Sequence, residues 1–474
     1  MSLRPHKTKI VATIGPACDA PAVLEQMVRA GMSVARLNFS HGTFGEHAAR
    51  IGRLRAAAQA AGREIALMAD LPGPKMRIGE LAEEPIQITA GNPFTLTTQE
   101  IVGNSSAASM TFSRLPQVVK PGDKLFLNDG IIQLEVQRVD NTEVQCLVLT
   151  GGELRSRKGL NLPGIDLGIS AFTDRDRQCL EFALAQGVDA VSQSFVESAE
   201  DIRAVREAAR SFGGDPFILA KIERSRAVER VDDILAAADG IMVARGDLGV
   251  EVPIEHIAIL QKTLVRKAVR LGKPVIIATQ MLESMTHSRQ PTRAEATDVA
   301  NAVLDGTDCV MLSGESATGE FPVEAVATLA RITTATEPHR TRTDLWERLK
   351  TLPREREYST ADLLSLSVEA VIAASSPAAL VVPTRTGTTA RAIARFRLPV
   401  WIAAPTDRAR VVRHLQFTYG IEPVPMPQLP PDWTAFTREW VRAKALQGSV
   451  ALLVQGPSPG HPQANHCMEI LQIH

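Results

Sequence analysis

Two residues of the run AKIE, Lys221 and Glu223, close an apolar segment that reads as a β-strand. Side chains at positions i and i+2 of a strand point to the same face, so an ammonium and a carboxylate are expected side by side. Asp247 ends the next such segment and supplies a second carboxylate. Two carboxylates with open positions suit Mg²⁺ or Mn²⁺, which share their oxygen ligands with substrate phosphates. A structural Lys–Glu ion pair explains the same spacing equally well.

The run ARGDLG, residues 244–249, adds glycines that permit close approach of a ligand to the backbone. Backbone N–H groups in this run are expected to be free to receive an anion beside the metal. Lys221 would then balance charge on a phosphoryl group during its transfer. Metal-assisted phosphoryl chemistry is thus one interpretation of these residues, and the structural ion pair stays the other.

Polar side chains end the other strand-like segments too. They are Arg36, Asn38, Ser40 and His41; Asp70; Gln193 and Ser194; Arg245; Thr279 and Gln280; and Ser313 and Glu315. Taken singly, such residues serve as helix N-caps or loop-edge groups. Taken together they predict an active site, because the active sites of β/α barrels lie at the carboxyl ends of the strands.

Eight short apolar segments alternate with amphipathic helical stretches. The segments are 9–15, 34–41, 64–70, 188–195, 217–223, 240–247, 274–281 and 308–316. Such alternation is typical of parallel strands joined by helices. Eight units predict an α/β fold with a TIM (β/α)8 barrel, and an open doubly wound sheet is the alternative.

The spacing between the third and fourth segments exceeds 110 residues, and the intervening sequence has antiparallel β patterns with Gly and Asn/Asp turns. We expect an inserted β-barrel lid over residues 72–168, placed on the carboxyl face of the barrel. The barrel then takes residues 1–71 and 169–338. A polar stretch at 339–360 predicts a linker, and a strand at 379–384 begins a C-terminal α/β domain, so that this last unit takes residues 339–474.

The formal net charge is -1, with 52 Lys and Arg against 53 Asp and Glu, so no global field attracts nucleic acid or anionic lipid. We find no secretory signal and no apolar run of about 18 residues, which predicts a cytoplasmic protein without membrane contact. The five cysteines are far apart in sequence, with no Cys-x-x-Cys pair. They predict small buried side chains, with no zinc site and no disulfide framework.

Several long motifs closely resemble the pyruvate kinase family, in order from about Thr8 to Arg397. They include TKIVATIGPA, GMSVARLNFSHG, GPKMRIG, RKGLNLPG, AKIE, DGIMVARGDLGVEVP, KPVIIATQMLESM, PTRAEATDVANAVLDGTDCVMLSGESATGEFPVEAV and TRTGTTARAIARFR. The segment 405–474 is the least distinctive. The resemblance implies a barrel, a mobile lid, a regulatory C-terminal domain and a homotetramer. It also implies transfer of the phosphoryl group of phosphoenolpyruvate to ADP, followed by protonation of enolpyruvate, giving pyruvate and ATP.

The resemblance also assigns roles to residues. It places the metal, Mg²⁺ or Mn²⁺, on Glu223 and Asp247, and the phosphoryl-stabilising amine on Lys221. The substrate phosphate meets Arg36, and the substrate carboxylate meets the N–H groups of Gly246 and Asp247 with Thr279 beside them. The nucleotide phosphates lie near Asn38, His41, Arg77 and Lys158. Proton delivery to the enolate is assigned to Ser313 and Glu315, although Asn38 and Ser313 are also explained as plain strand-end caps.

Two other classes of protein fit part of the pattern. An aldolase or lyase that handles phosphoenolpyruvate would also need metal-binding carboxylates, but it has no use for a long insertion that carries Arg77 and Lys158. A catalytically inactive sensor would be favoured by loss of Lys221, Glu223 or Asp247. All three are present.

A hydroxyl-rich loop precedes a predicted helix in the C-terminal domain. It comprises Thr384, Arg385, Thr386, Gly387, Thr388 and Thr389. Helix N-termini bind phosphate through backbone N–H groups, although an ordinary N-cap and turn fits the local sequence equally well. Resemblance to the family's effector loop favours activation by a phosphorylated metabolite, such as a sugar monophosphate or AMP.

The stretch ADLPGPKMRIG departs from the potassium-dependent members of the family. Their potassium ligands match Asn38, Ser40, Asp70 and Leu71, and the family's glutamate is replaced by Lys75. The usual threonine is also replaced, by Leu71. A fixed ammonium near Asp70 predicts that K⁺ is not required. The alternative is a solvated hinge lysine paired with a surface acid.

Overall fold

The computed structural model describes residues 2–340, 359–456 and 465–473. Eight parallel strands form a closed barrel in the order β1-β16-β15-β14-β13-β12-β3-β2, numbered along the chain. They are β1 Lys9–Thr13, β2 Met32–Asn38, β3 Ala66–Leu71, β12 Ala190–Gln193, β13 Phe217–Ile222, β14 Gly240–Ala244, β15 Val275–Ala278 and β16 Cys309–Leu312. The predicted eight-stranded barrel is confirmed, and the open-sheet alternative is wrong because β1 pairs with both β2 and β16.

Helices connect and cover these strands. They are α1 Pro21–Ala30, α2 Phe44–Ala61, α4 Asp174–Ala185, α5 Ala199–Ser211, α6 Ser225–Glu229, α7 Val231–Ala237, α8 Arg245–Glu251, α9 Ile257–Arg270, α10 Arg293–Asp305, α11 Gly314–Ala317 and α12 Pro322–Thr336. Side-chain caps set several of their starts: Thr43 begins α2 and Thr173 begins α4, each in a capping box with an acid three residues later. These caps fix where the loops above the barrel end.

The chain leaves the barrel after β3 and returns before α4, and the insertion carries its own hydrophobic core, which includes the fully buried Phe94 and Leu134. Its elements are β4 Ile86–Ile88, β5 Pro93–Thr97, β6 Ala107–Ser109, α3 Leu115–Val118, β7 Lys124–Leu127, β8 Ile132–Val139, β9 Glu143–Thr150, β10 Gly152–Leu154 and β11 Leu160–Asn161. Six strands form one sheet in the order β11-β7-β8-β9-β5-β6, and β10 pairs with β4. We call this insertion the lid.

The C-terminal domain has a five-stranded sheet in the order β19-β18-β17-β20-β21. Its elements are α13 Thr360–Ser375, β17 Leu380–Val381, α14 Thr388–Ala394, β18 Ile402–Thr406, α15 Ala409–His414, β19 Ile421–Pro425, α16 Trp433–Ala443, β20 Val450–Gln455 and β21 Cys467–Gln472. The predicted strand at 379–384 is thus shorter than expected. Most of the predicted linker, residues 341–358, lies outside the described residues.

The C-terminal domain closes the amino end of the barrel. Phe417 is fully buried among the side chains that fill the barrel interior, and its ring stacks on Phe217 at 5.3 Å between centroids. A buried ion pair joins Arg397 to Asp308 at 2.6 Å. The barrel is therefore plugged below, and its open face lies under the lid.

Four of the five cysteines are buried as predicted, and all five are free thiols. Cys467 is exposed, so the prediction is wrong for this residue, because it lies on β21 at the edge of the C-terminal sheet. Across the described ranges, no helix combines the length and apolar character that crossing a membrane requires.

Candidate active site

A buried carboxylate organises the floor of the site at the end of β3. One oxygen of Asp70 accepts hydrogen bonds from the guanidinium of Arg36, at 2.8 Å from Nε and by a second, short contact from Nη2. Its other oxygen accepts the hydroxyl of Ser192 at 2.8 Å and lies 3.4 Å from Lys221 Nζ. Burial opposes the charge, but Lys221 and Arg36 outweigh it and lower the pKa of Asp70.

Lys221 lies at the centre of this floor. Its ammonium is 2.8 Å from Glu223 Oε1 and donates to Ser194 Oγ at 2.7 Å. Burial disfavours its charge, yet Asp70 and Glu223 raise the pKa of Lys221 above its ordinary value. The predicted same-face placement of Lys221 and Glu223 is confirmed, and so is the existence of an ion pair between them. The structural ion pair and a role of Lys221 beside a phosphoryl group are thus compatible, because the ion pair with Glu223 holds the amine in place.

Asp247 lies in the first turn of α8 and is half-buried. Its carboxylate has no hydrogen bond or ion pair within the part of the chain that the structure describes. Burial and the nearby Glu223 carboxylate raise the pKa of Asp247 to about 7. Lys221 offsets only part of this effect, and two neighbouring carboxylates that repel each other fit a divalent cation.

The remaining ligands of such a cation would have to come from elsewhere. Among residues 2–340, 359–456 and 465–473, no cluster of three or more His, Cys, Asp or Glu side chains could hold a metal. Oxygen atoms of substrate and water would complete the shell, as is usual for Mg²⁺.

The run ARGDLG differs from the sequence prediction, because the strand ends at Ala244 and the rest of the run belongs to the helix α8. The N–H of Gly246 is not free: it donates to Thr279 Oγ1 at 2.8 Å. Thr279 has a positive φ of 68°, and its own hydroxyl donates to Ala278 at 2.6 Å. Arg245, the first residue of α8, anchors the helix: its guanidinium donates to the carbonyl of Thr279 at 2.8 Å and to Asp298 at 2.7 Å.

Glu315 is fully buried at the start of α11. Its two oxygens accept the backbone N–H groups of Ser313 at 2.7 Å and Leu282 at 3.0 Å. Burial raises the pKa of Glu315. The carboxyl therefore joins the loops after β15 and β16, and the half-buried Ser313 is the group of this pair that faces outward.

Three polar residues line the rim after β2. The side-chain oxygen of Asn38 accepts the N–H of Ser40 at 3.1 Å, as the strand-end cap interpretation requires. His41 is largely exposed. Its pKa is lowered by the partial desolvation of the ring and by the charge of Lys75. The carbonyl of Leu71, on the neighbouring strand, accepts the hydroxyl of Ser194 at 2.7 Å.

Three cations extend from the lid. Lys75 and Arg77 lie on the outgoing segment, and Lys158 on the returning one; Arg77 and Gly159 pair as an antiparallel bridge, which brings the segments together. All three side chains are half-buried, and none has a hydrogen bond or ion pair in the described ranges. Burial, Arg77 and Lys221 lower the pKa of Lys75 to about 8, whereas Asp70 raises it. No acidic side chain forms an ion pair with Lys75 in the described part of the chain, so the pairing of the alternative interpretation is not seen there.

Sequence reasoning missed three participants. Thr13 Oγ1 accepts Arg36 Nη1 at 2.8 Å, and Ser192 holds Asp70. Asp129, in a lid turn with φ 56°, raises the pKa of Asp247 by its charge. The Asn-Asp-Gly run at 128–130 is a turn signal, but nothing in the sequence places that turn near α8.

The predicted effector loop does precede a helix, the seven-residue α14. Thr384 Oγ1 accepts the N–H of Gly387 at 2.9 Å, and the hydroxyls of Thr386 and Thr388 are 3.0 Å apart. Arg391 donates to the carbonyl of Thr386 at 3.1 Å. Hydroxyls and N–H groups of the loop thus bond to one another, while the side chains of Arg385 and Thr389 are half-buried.

Comparison with known proteins adds a family. Residues 5–326 match the family model described as pyruvate kinase, barrel domain, and residues 363–471 match that described as pyruvate kinase, alpha/beta domain. A pyruvate kinase of Thermococcus litoralis is 44% identical, with all of both chains covered. One from Geobacillus stearothermophilus is 42% identical over 88% of this chain and 71% of its own. A crystal structure of a pyruvate kinase from Cryptosporidium parvum superposes with a TM-score of 0.92 at 34% identity, over 99% of this chain and 97% of its own.

Proposed function

The chain belongs to the pyruvate kinase family, and we propose that its barrel site moves the phosphoryl group of phosphoenolpyruvate to ADP with a divalent cation held by Glu223 and Asp247. The observation that carries this assignment is the placement of Lys221. Its ammonium is fixed by Glu223, Ser194 and Asp70, beside the unpaired carboxylate of Asp247. A rigid cation next to two carboxylates suits a reaction in which negative charge moves between two anions.

Mg²⁺, or Mn²⁺ in its place, would bind between Glu223 and Asp247. When bound, such an ion neutralises charge on substrate and phosphate oxygens. Burial and the Glu223 charge together raise the pKa of Asp247 to about 7, and the ion would relieve the part that comes from Glu223. No other cofactor is proposed.

Cationic side chains of the protein would stabilise the remaining negative charge of the two substrates. Arg36 and Lys221 would face the phosphate of phosphoenolpyruvate from the floor. Their Asp70 partner keeps both side chains oriented, so little reorganisation is needed when substrate binds. Arg77 and Lys158 of the lid, with Asn38 and His41 of the rim, would contact the phosphates of ADP and offset the repulsion between the two substrates.

The carboxylate of phosphoenolpyruvate would be received by the N–H groups of Gly246 and Asp247, with Thr279 alongside. The Gly246 N–H is already aimed at this point, because it meets the Thr279 hydroxyl there. A substrate carboxylate would take over that hydrogen bond, and the hydroxyl would then turn toward the substrate. Selectivity for a carboxylate follows from this arrangement of donors.

Enolpyruvate must then gain a proton at carbon. We assign this step to the hydroxyl of Ser313, acting through water. Glu315 has both oxygens occupied by backbone N–H groups, so its part is to hold the Ser313 loop in position.

Lys75 takes the place of a bound potassium ion in this proposal. Its ammonium is half-buried, unpaired in the described ranges and electrostatically coupled to Asp70. With a pKa of about 8 it remains mostly charged at neutral pH. A fixed charge at this point needs no ion capture, so K⁺ would not be required.

Regulation is assigned to residues 384–389. A phosphorylated metabolite, a sugar monophosphate or AMP, would replace the hydrogen bonds that Thr384, Thr386 and Thr388 now make within the loop, and Arg385 would pair with its phosphate. The test is the T386A/T388A double variant, which should keep basal activity and lose activation. Unchanged activation would place the effector elsewhere.

We also propose a homotetramer. Ile254 and Ile259 beside and within α9, and Ile470 on the edge strand β21, are exposed apolar side chains of the kind that subunit contacts cover. Light scattering on the purified chain gives the mass directly, and a monomer at micromolar concentration would contradict the assembly.

The activity itself is tested by a coupled pyruvate assay with Mg²⁺, phosphoenolpyruvate and ADP. We expect pyruvate formation that requires ADP and is abolished in the D247N variant. Formation of pyruvate without ADP would favour a lyase-type site. A flat assay with Mg²⁺, with Mn²⁺ and with candidate effectors would favour an inactive sensor.

A further inference from the structure

Arg224 lies directly after the proposed metal ligand Glu223, at the end of β13. Successive side chains at a strand end point to opposite sides, so Glu223 faces the site while Arg224 faces away from it. Arg224 is nevertheless among the least exposed charged residues that the structure describes, at 2%. A guanidinium buried so deeply needs several partners.

The first partners of Arg224 lie on the segment by which the lid returns to the barrel, residues 162–168, here called the return arm. Arg224 Nη2 donates to the carbonyl of Leu162 at 3.1 Å and to that of Ile165 at 2.9 Å. Because both acceptors are backbone carbonyls, the two hydrogen bonds depend on the position of the return arm itself. Arg224 thus ties two carbonyls of the return arm to the segment that follows β13.

The second set of partners are carboxylates. Arg224 lies 3.4 Å from Glu251, whose side chain is 1% exposed, and 3.3 Å from Glu197. Glu251 is the last residue of α8, and Asp247 lies one helical turn earlier on the same face. Glu251 also accepts the N–H of Ser225 at 3.3 Å. Arg224 therefore touches the helix that carries the second proposed metal ligand.

The lid approaches α8 at one further point. The Cβ position of Gly130, in the lid turn, lies 3.3 Å from the side chain of Val250. A cavity of about 570 Å³ lies between the lid and α8, and its walls include Ile165 and Glu251, both partners of Arg224. The lid and α8 thus face each other across this cavity, and Arg224 connects the two at its edge.

We propose that Arg224 is a positioning residue that couples the lid's return arm to α8, and through α8 to the metal ligand Asp247. Displacement of the arm would remove the Leu162 and Ile165 carbonyls from the guanidinium. Arg224 would then no longer be held in one orientation, and its ion pair with the buried Glu251 carboxylate would weaken. The metal part of this inference rests on the proposed function, whereas the coupling between arm and helix does not.

Arg226 provides a matched control. It belongs to the same network, with Asp166 at 2.8 Å and Glu197 at 3.1 Å, but it is more exposed and contacts neither α8 nor the carbonyls of the return arm. Replacing Arg226 removes a cation that pairs with Asp166 of the arm and leaves the contacts of Glu251 intact. A general effect of lost charge would therefore appear in both variants, and coupling only in one.

The test compares R224Q and R226Q with the unmodified full chain by hydrogen exchange and by titration with Mn²⁺ alone, with free Mn²⁺ followed by electron paramagnetic resonance. For R224Q we expect exchange at least tenfold faster in both 160–168 and 245–251, and Mn²⁺ binding at least threefold weaker. For R226Q we expect faster exchange in 160–168 only, with Mn²⁺ affinity changed less than 1.5-fold. Steady-state kinetics should show R224Q affecting the metal activation constant more than kcat.

The coupling is overturned if R224Q speeds exchange in the return arm alone and leaves 245–251 protected. If the unmodified chain binds no Mn²⁺, or D247N binds it equally well, the proposed metal site fails, while exchange in 245–251 still decides the coupling. Should R224Q fail to fold, R224K keeps the cation but lacks the planar fork that serves the Leu162 and Ile165 carbonyls together with Glu251. Faster exchange in both 160–168 and 245–251 in R224K supports the coupling, and faster exchange in 160–168 alone overturns it.

Discussion

The floor of the site and the lid above it both present cations, but they hold them differently. On the floor, Arg36 and Lys221 are buried and each is bound to Asp70, with further hydrogen bonds to Thr13 and Ser194. On the lid, Lys75, Arg77 and Lys158 are half-buried and have no side-chain partner in the described ranges. The protein itself therefore fixes the geometry of the floor, whereas the lid cations are positioned to meet an anion that comes from outside.

This difference follows from how the charge of each cation is stabilised. Cations of the floor exchange water for protein partners, and these partners fix the orientation of the side chains before substrate arrives. Lid cations lie close enough to one another that Arg77 lowers the pKa of Lys75. An anionic ligand that bridges floor and lid would relieve this repulsion. Nucleotide and substrate phosphates are the anions expected in this family.

The largest effect is expected on the floor. Replacing Lys221 by Met should lower phosphoryl transfer by about 10³-fold, because a preorganised charge beside the transferring group is lost. Ketonisation of added enolpyruvate, which moves no phosphoryl group, should stay within a few fold of the unmodified chain. The two half-reactions are measured separately with the same preparation. Equal loss of both would show that Lys221 supports the site only as a structural ion pair.

Sequence analysis could predict the floor because its residues follow strand ends, and parallel strands align these ends on one face. Arg36, Asp70 and Lys221 come from β2, β3 and β13. Parallel pairing of β2 with β3 is enough to bring Arg36 close to Asp70. The partners that orient them were not predictable. Thr13 and Ser192 are ordinary strand hydroxyls, and their contacts depend on the shear of the closed barrel.

The lid could be predicted as an insertion with β patterns on the carboxyl face of the barrel. The contacts that hold it there join distant segments, such as that of Arg224 with the return arm, and no local pattern indicates them. The strand predicted over 240–247 ends at Ala244, and residues 245–251 form α8, held by Arg245 against the loop after β15. Long-range packing overrode local propensity there.

The next effect concerns charge at the boundary of the two regions. K75E places a carboxylate near Asp70, so we expect activity without potassium to fall about thirtyfold, from the loss of one cation and the gain of one anion near the substrate phosphate. Added K⁺ should restore part of that loss. K75Q, which removes the charge without reversing it, should fall less. Rates are compared at matched ionic strength with tetramethylammonium chloride. Equal activity of K75E and the unmodified chain without potassium would remove Lys75 from the site.

A smaller effect is expected for a lid cation. R77Q should raise the KM for ADP about tenfold with little change in kcat, because one charge-assisted hydrogen bond to the nucleotide phosphates is lost. R157Q is the control, since Arg157 is an exposed lid arginine already paired with Glu80. The comparison between floor and lid is broken if R157Q raises this KM as much as R77Q does.

The smallest effect is a pH dependence. The pKa of Lys75 is lowered to about 8, so potassium-free activity should decline a few fold as pH rises through 8, and added K⁺ should restore it at pH 9. Stability should change in the opposite direction. Between about pH 8 and the ordinary lysine value the unfolded chain binds more protons, so this residue's contribution to the free energy of unfolding increases with pH. A potassium effect that is the same at pH 7 and pH 9 would contradict the assignment to Lys75.

The most direct test of the role given to Lys75 is the initial rate of pyruvate formation by the unmodified chain at pH 7, with Mg²⁺ and saturating substrates, in buffer free of potassium and ammonium. Tetramethylammonium supplies the ionic strength. The account predicts full activity, with a change below 1.5-fold when 100 mM K⁺ replaces about the same concentration of the organic cation. Activation by K⁺ of tenfold or more would contradict it, because a potassium ion would then be doing what the fixed ammonium of Lys75 is proposed to do.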